Sequence, residues 1–282
     1  MESLKVQGIE MPRLGLGTFR LAPEACQAAV ESALELGYRH IDTAEMYGNE
    51  TGVGEAVAAS GIRREALHVT TKVWWEHLTP DAMRRACDFS LGRLGLDYVD
   101  LYLVHWPARG MDLPRVLETM VALREEGRAL AIGVSNFTLP MLKTAIEEVG
   151  APIACNQIEY HPYLSQAPIL AYLRSKGVPL TAYAPLAQGT VAESPELQAI
   201  GRKHGASAAQ VALAWLLEQD GVAAIPKAGR RESQAANLAA LELKLDDEDR
   251  RAIAALPKDQ RRVNPGFAPD WDAGEQPALI AG

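Results

Sequence analysis

The chain has 282 residues and 30.5 kDa, is 48% hydrophobic and 23% charged, and carries 28 basic against 36 acidic residues for a net charge of −8. A globular composition at this length buries enough apolar surface to need neither disulfides nor a metal for its core. The acidic balance argues against nucleic acid or a membrane surface as partner.

The N-terminal segment MESLKVQGIEMPR has no apolar leader, and its LKVQGIEMPR portion reads as a small β-hairpin. Behind it, short apolar or β-branched runs recur at 14–19, 38–44, 67–73, 98–106, 129–136, 153–160, 179–186 and 222–228. Helical patterns separate them, for example PEACQAAVESALEL and LPRVLETMVALREEG. Thr79 and Ser207 read as N-terminal caps, Gly127 and Gly177 as C-terminal stops, and LDDEDR (245–250) as a solvated helix start. Strands alternating with helices make a parallel sheet. Eight such units predict a closed α/β barrel, (β/α)8, near its usual ~250 residues, with the hairpin capping its floor. An open doubly wound sheet would need GxGxxG after the first strand, and both candidates, Gly15 with Gly17 and Gly52 with Gly54, lack the third glycine. No stretch reads as a linker, so residues 1–282 form one predicted domain, with an aperiodic tail over about 257–282. Cys26, Cys87 and Cys155 lie far apart without a CxxC pair, and no apolar run is long enough to span a membrane. A cytoplasmic location is the expectation.

Barrel chemistry sits at the C-terminal ends of the strands. There the sequence places Asp42 and Thr43, Lys72, His105, Ser135 and Asn136, Gln157 and Glu159, Tyr183, and Lys227. So many polar strand ends are costly unless they pair with one another or with a ligand. Tyr47 follows Asp42 in the next loop. A free tyrosine, with an ordinary pKa of ~10, is a sluggish acid at neutral pH. An adjacent lysine would lower that value, an aspartate behind it would hold the lysine charged, and a neutral histidine would add a second donor to a developing alkoxide. Asp42, Tyr47, Lys72 and His105 therefore suit a site that protonates a carbonyl oxygen while hydride arrives at carbon. Taken singly, each has a structural reading: an Asp–Lys pair, a core histidine, a surface tyrosine. A metal site from His40, His105 and His161 lacks HxH or HExxH spacing, so no metal is expected. A serine nucleophile would need GxSxG, which is absent.

GYRHIDTAEMYGNE (37–50), TTKVWW (70–75), LVHWP (103–107), GVSNF (133–137), NQIEYHP (156–162), YAPLAQG (183–189) and IPK (225–227) together resemble the aldo-keto reductase superfamily. The short loop after His105 and the Pro-rich, Trp-containing tail are most similar to its bacterial 2,5-diketo-D-gluconate reductase branch. The resemblance runs from residue 14 to about 240. It implies a barrel that uses NADPH, in preference to NADH, to reduce a small-molecule carbonyl such as a keto-sugar acid or a 2-oxoaldehyde like methylglyoxal. Tyr47 would be the general acid, tuned by Lys72 and Asp42, with His105 orienting the carbonyl. Ser135, Asn136 and Gln157 would hold the nicotinamide carboxamide, and Tyr183 would stack on its ring. Asp42 would join this cofactor set. Gly17, Thr18 and the segment Leu186, Gln188 and Gly189 would line the pyrophosphate; Lys227, Arg230, Arg231 and Asn237 would meet the adenosine end. Phe19, Trp74 and Trp106 match pocket walls, beside a tail at the substrate site. The chain departs from the pattern at Ala184, Ala228, Ser233 and Ala236. A monomer is expected. The rival class is a non-catalytic nucleotide-binding barrel serving as sensor or partner subunit, against which the intact Asp42, Tyr47, Lys72 and His105 argue.

Overall fold

The computed structural model describes residues 2–271. It opens with an antiparallel hairpin, β1 (Ser3–Val6) and β2 (Ile9–Pro12). Both turn residues have positive φ, Gln7 at 48° and Gly8 at 84°, the handedness that matches strand twist in two-residue hairpin turns. Ile9 and Met11 are buried against Leu101, Leu103, Ala131, Ala154, Cys155 and Ala223. The hairpin therefore plugs the barrel floor, as its sequence predicted.

The barrel strands are β3 (Leu16–Gly17), β4 (His40–Asp42), β5 (His68–Val73), β6 (Val99–Val104), β7 (Ala129–Ser135), β8 (Ile153–Glu159), β9 (Leu180–Tyr183) and β10 (Val222–Ala224). They lie side by side in chain order as an eight-stranded parallel sheet. Isolated parallel bridges, Leu14 to Ala224 and Gly17 to Lys227, join its first and last members. Both strands are shorter than predicted, and β10 ends just before Pro226, which has no N–H for the ladder. Gly17 is needed at the seam: a Cβ there would lie 2.6 Å from the Ile225 carbonyl oxygen. β5, β6 and β8 are buried at every position, as parallel strands covered on both faces must be.

The helices are α1 (Pro23–Glu35), α2 (Glu50–Ala59), α3 (Pro80–Leu94), α4 (Leu113–Glu125), α5 (Leu139–Lys143), α6 (Ala167–Ser175), α7 (Pro195–His204), α8 (Ala208–Leu217), α9 (Arg231–Ala239) and α10 (Asp247–Ala254). Ser207 makes a reciprocal capping box with Gln210, and Asp246 makes one with Asp249. Thr79 caps α3 by position alone, without a side-chain bond. Two helices, α7 and α8, stand between β9 and β10 where the alternation predicts one. Their buried faces meet α10 in a satellite core including Leu197, Val211, Ala212 and Ile253. The three cysteines are buried and unbridged. Among the described residues no helix is long and apolar enough to cross a membrane.

Candidate active site

The upper barrel interior is polar. Asp42 and Lys72 are 1% and 0% exposed, and Lys72 Nζ donates to Asp42 Oδ1 at 2.5 Å, to the Thr43 carbonyl at 2.7 Å and to the Tyr47 hydroxyl at 3.3 Å. Gln157 Nε2 donates to Asp42 Oδ2 at 2.7 Å, a contact from β8 to β4 that only a closed barrel permits. Tyr47 sits in a short turn, Glu45–Tyr47, directly after β4. Its ring lies 5.5 Å from that of His105. The four residues singled out from the sequence meet at one end of the barrel.

Their charge states follow from burial. Desolvation lowers the Lys72 ammonium below its ordinary value, and the charge and hydrogen bond of Asp42 oppose it. Burial, then the nearby Lys72 cation, holds His105 well below its ordinary range, so its imidazole is neutral at physiological pH. Its Nδ1 has no partner among the described residues. Tyr47 corrects one expectation. Its pKa is raised overall, first by burial and then by the Asp42 carboxylate, which together outweigh the Lys72 ammonium 3.3 Å away. The phenol therefore keeps its proton at neutral pH.

The candidate cofactor residues form a partly self-satisfied network. Ser135 Oγ donates to the Gln157 carbonyl at 2.7 Å. Asn136 Nδ2 donates to the His105 carbonyl at 2.9 Å, and its Oδ1 accepts from the Tyr183 hydroxyl at 2.7 Å. Asn136 adopts φ 62° and Ala184 φ 45°, strained values for residues with a Cβ that concentrate at functional sites. Gln157 itself is buried. Thr18 is fully buried and bonds the Asp42 carbonyl through both N and Oγ1, at 3.0 Å each. Leu186, Gln188 and Gly189 lie in an irregular turn whose Gln188 and Gly189 have φ 55° and 101°.

At the adenosine end the structure divides the predicted cations. Lys227 and Arg230 are exposed and make no ion pair among the described residues. Arg231, by contrast, pairs with Glu35 at 2.8 Å, with both side chains exposed. Asn237 is buried, 5% exposed. The N-terminus of α9 carries no side-chain cap, leaving backbone donors unmet by protein side chains.

Phe19 packs 5.0 Å from Tyr47 and Trp74 5.2 Å from His105. Trp106 lies 5.5 Å from Phe267. Phe267 is an aromatic wall that sequence reasoning missed, because the tail has no periodicity to place it. Asn49 was also missed: buried, it donates to the Thr18 and Leu21 carbonyls at 2.9 and 3.2 Å and accepts from Thr43 at 3.0 Å. Its place in the run YGNE, two residues after Tyr47, was the available signal.

A family model described as the aldo/keto reductase family matches residues 13–258. The chain is 44% identical over 266 residues to methylglyoxal reductase DkgB of Salmonella typhimurium, covering 93% of this chain and 99% of that protein. It is 41% identical over 258 residues to glyoxal reductase of Bacillus subtilis, covering 90% and 92%. A solved structure assigned as a 2,5-diketo-D-gluconic acid reductase B superposes with a TM-score of 0.93 at 41% identity, covering 97% of this chain and 98% of that one.

Proposed function

The chain belongs to the aldo/keto reductase family of oxidoreductases, and from that premise we propose that it reduces small aldehydes or ketones with NADPH, using Tyr47 as the general acid. The observation that carries the reading is the Tyr47 hydroxyl 3.3 Å from Lys72 Nζ, beside a neutral His105. NADPH, when bound, supplies hydride to the carbonyl carbon. The protein manages the proton. Tyr47, protonated at neutral pH, donates to the carbonyl oxygen as negative charge builds there. Lys72, fixed by Asp42 and the Thr43 carbonyl, faces the phenolate left behind and stabilises it. His105 gives the same oxygen a second donor and aligns the carbonyl.

Several features fit a nicotinamide dinucleotide. Tyr183, braced by Asn136, offers a ring at the strand end for stacking. Gln157 and Ser135, joined by the Ser135 Oγ bond to the Gln157 carbonyl, present amide and hydroxyl groups for a carboxamide. The backbone at Gly17, Thr18 and Leu186 to Gly189 suits the pyrophosphate. Lys227, Arg230 and the uncapped start of α9 suit a 2′-phosphate. The wall of Phe19, Trp74, Trp106 and Phe267 suits a small carbonyl substrate. The named activities of the relatives point to a 2-oxoaldehyde such as methylglyoxal or a keto-sugar acid such as 2,5-diketo-D-gluconate. The test is loss of NADPH absorbance with methylglyoxal, 2,5-diketo-D-gluconate or 4-nitrobenzaldehyde. Binding of NADPH with no turnover of any of them would instead indicate a non-catalytic nucleotide-binding barrel.

A further inference from the structure

Glu159 ends β8 with 0% exposure, and the proton chemistry does not use it. A buried carboxylate is costly unless donors saturate it. Here the donors come from the chain beyond α10 and from the loop that receives that chain. Oε1 accepts from Arg262 N at 2.6 Å and His161 Nε2 at 2.9 Å, and Oε2 accepts from Val263 N at 2.9 Å. Arg261 Nη1 lies 4.0 Å from Oε2. His161 Nδ1 accepts from Tyr163 N at 3.3 Å, which leaves the imidazole proton on Nε2, facing Glu159.

The same segment is sewn to the loop by Ser165 N to the Lys258 carbonyl at 2.8 Å and by Gln260 N to the Tyr163 carbonyl at 2.9 Å. It then carries Phe267 to ring distances of 5.4, 5.2 and 5.5 Å from Trp74, Trp75 and Trp106. Trp271 follows, 6.1 Å from Trp106, with the Arg261 guanidinium 3.7 Å from its ring centre. Aromatic burial is non-directional and would tolerate a slipped chain. Two consecutive backbone amides on one buried carboxylate do hold it down, since lifting the chain away leaves a buried charged acceptor short of its donors.

We propose that Glu159 is a positioning residue that anchors the strap 259–271 and thereby places Phe267 as a wall of the carbonyl-binding mouth. The identity of that mouth rests on the reduction reading; the strap does not. Glu159 touches none of Tyr47, Lys72 and His105, so loosening the strap changes how a bulky aldehyde is held and leaves the chemical step alone.

Glu159→Gln keeps the side chain's size but turns an amide donor toward one of its N–H partners. The expected result is a KM for 4-nitrobenzaldehyde raised about tenfold to a hundredfold, as for loss of one charge-assisted bond, with kcat changed less than about twofold. Trypsin cleavage after Arg261 and Arg262 should accelerate at the same time. Val263→Pro removes the same bond from the strap's side and should raise KM likewise, which covers the case of a Glu159 variant that does not fold. In a Phe267→Ala background, Glu159→Gln should add little further to KM, because its effect runs through Phe267. An unchanged KM in Val263→Pro, additive effects in the double variant, or unaltered tryptic cleavage would overturn the proposal. Should the parent protein reduce no aldehyde, the cleavage rate alone still decides the strap.

Discussion

Replacing Tyr47 with phenylalanine removes one oxygen and little else. The ring keeps Phe19 at 5.0 Å, His105 at 5.5 Å and the Lys72 ammonium at 4.9 Å from its centre. The lost hydrogen bond is a long one, 3.3 Å, and Lys72 retains Asp42 at 2.5 Å and the Thr43 carbonyl at 2.7 Å. The stability cost should be at most about 1 kcal/mol, and NADPH affinity should be nearly unchanged. The chemical barrier, by contrast, loses its proton donor. General acid catalysis contributes ~10²–10⁴ in rate, equivalent to about 2.7–5.5 kcal/mol. The assay is methylglyoxal turnover, with NADPH affinity followed by tryptophan fluorescence on the same samples. Turnover close to that of the parent would refute Tyr47 as the acid. A collapse matched by loss of NADPH binding would refute the division of labour, placing Tyr47 in cofactor binding.

Lys72→Met leaves the Asp42 carboxylate buried without its cation, so the protein should lose about 3–5 kcal/mol of stability, read from urea melts. The alkaline limb of its residual reduction activity should move to higher pH, because the cation facing Tyr47 is gone; an unmoved limb with activity retained would remove Lys72 from that role. Lys227→Ala should weaken NADPH about tenfold or more and NADH hardly at all. Equal affinity of the parent for the two cofactors would defeat the 2′-phosphate assignment. His40, His68 and His105 are all held below their ordinary pKa, chiefly by burial. The unfolded chain therefore takes up protons below pH ~6.5 that the folded protein refuses. Their neutral burial is without penalty above that pH, and stability falls as pH drops from 7 toward 5, by up to ~1.4 kcal/mol per pH unit for each histidine. His68→Asn should make the slope shallower in urea melts across that range, and an unaltered slope would contradict the account.

The barrel was legible in the sequence because its code is local. Strand and helix periods, and polar residues at strand ends, appear within windows of a few residues, and parallel closure then carries each strand end to one rim. That logic brings Asp42, Lys72, His105, Ser135, Gln157 and Tyr183 to one rim from the sequence alone. It could not say how they share hydrogen bonds. Gln157 meets Asp42 across 115 positions, and Arg231 pairs with Glu35, 196 positions away. Nor could it give the direction of the Tyr47 shift, which depends on burial set by the whole ring of strands. Glu159 and Phe267 belong to the same class. One is a strand-end carboxylate whose donors lie 103 and 104 positions downstream, the other an aromatic in a segment with no period of its own. Local patterning specifies elements and their ends. The donors and charges each end finally meets are decided by which distant surfaces the closed barrel presses together.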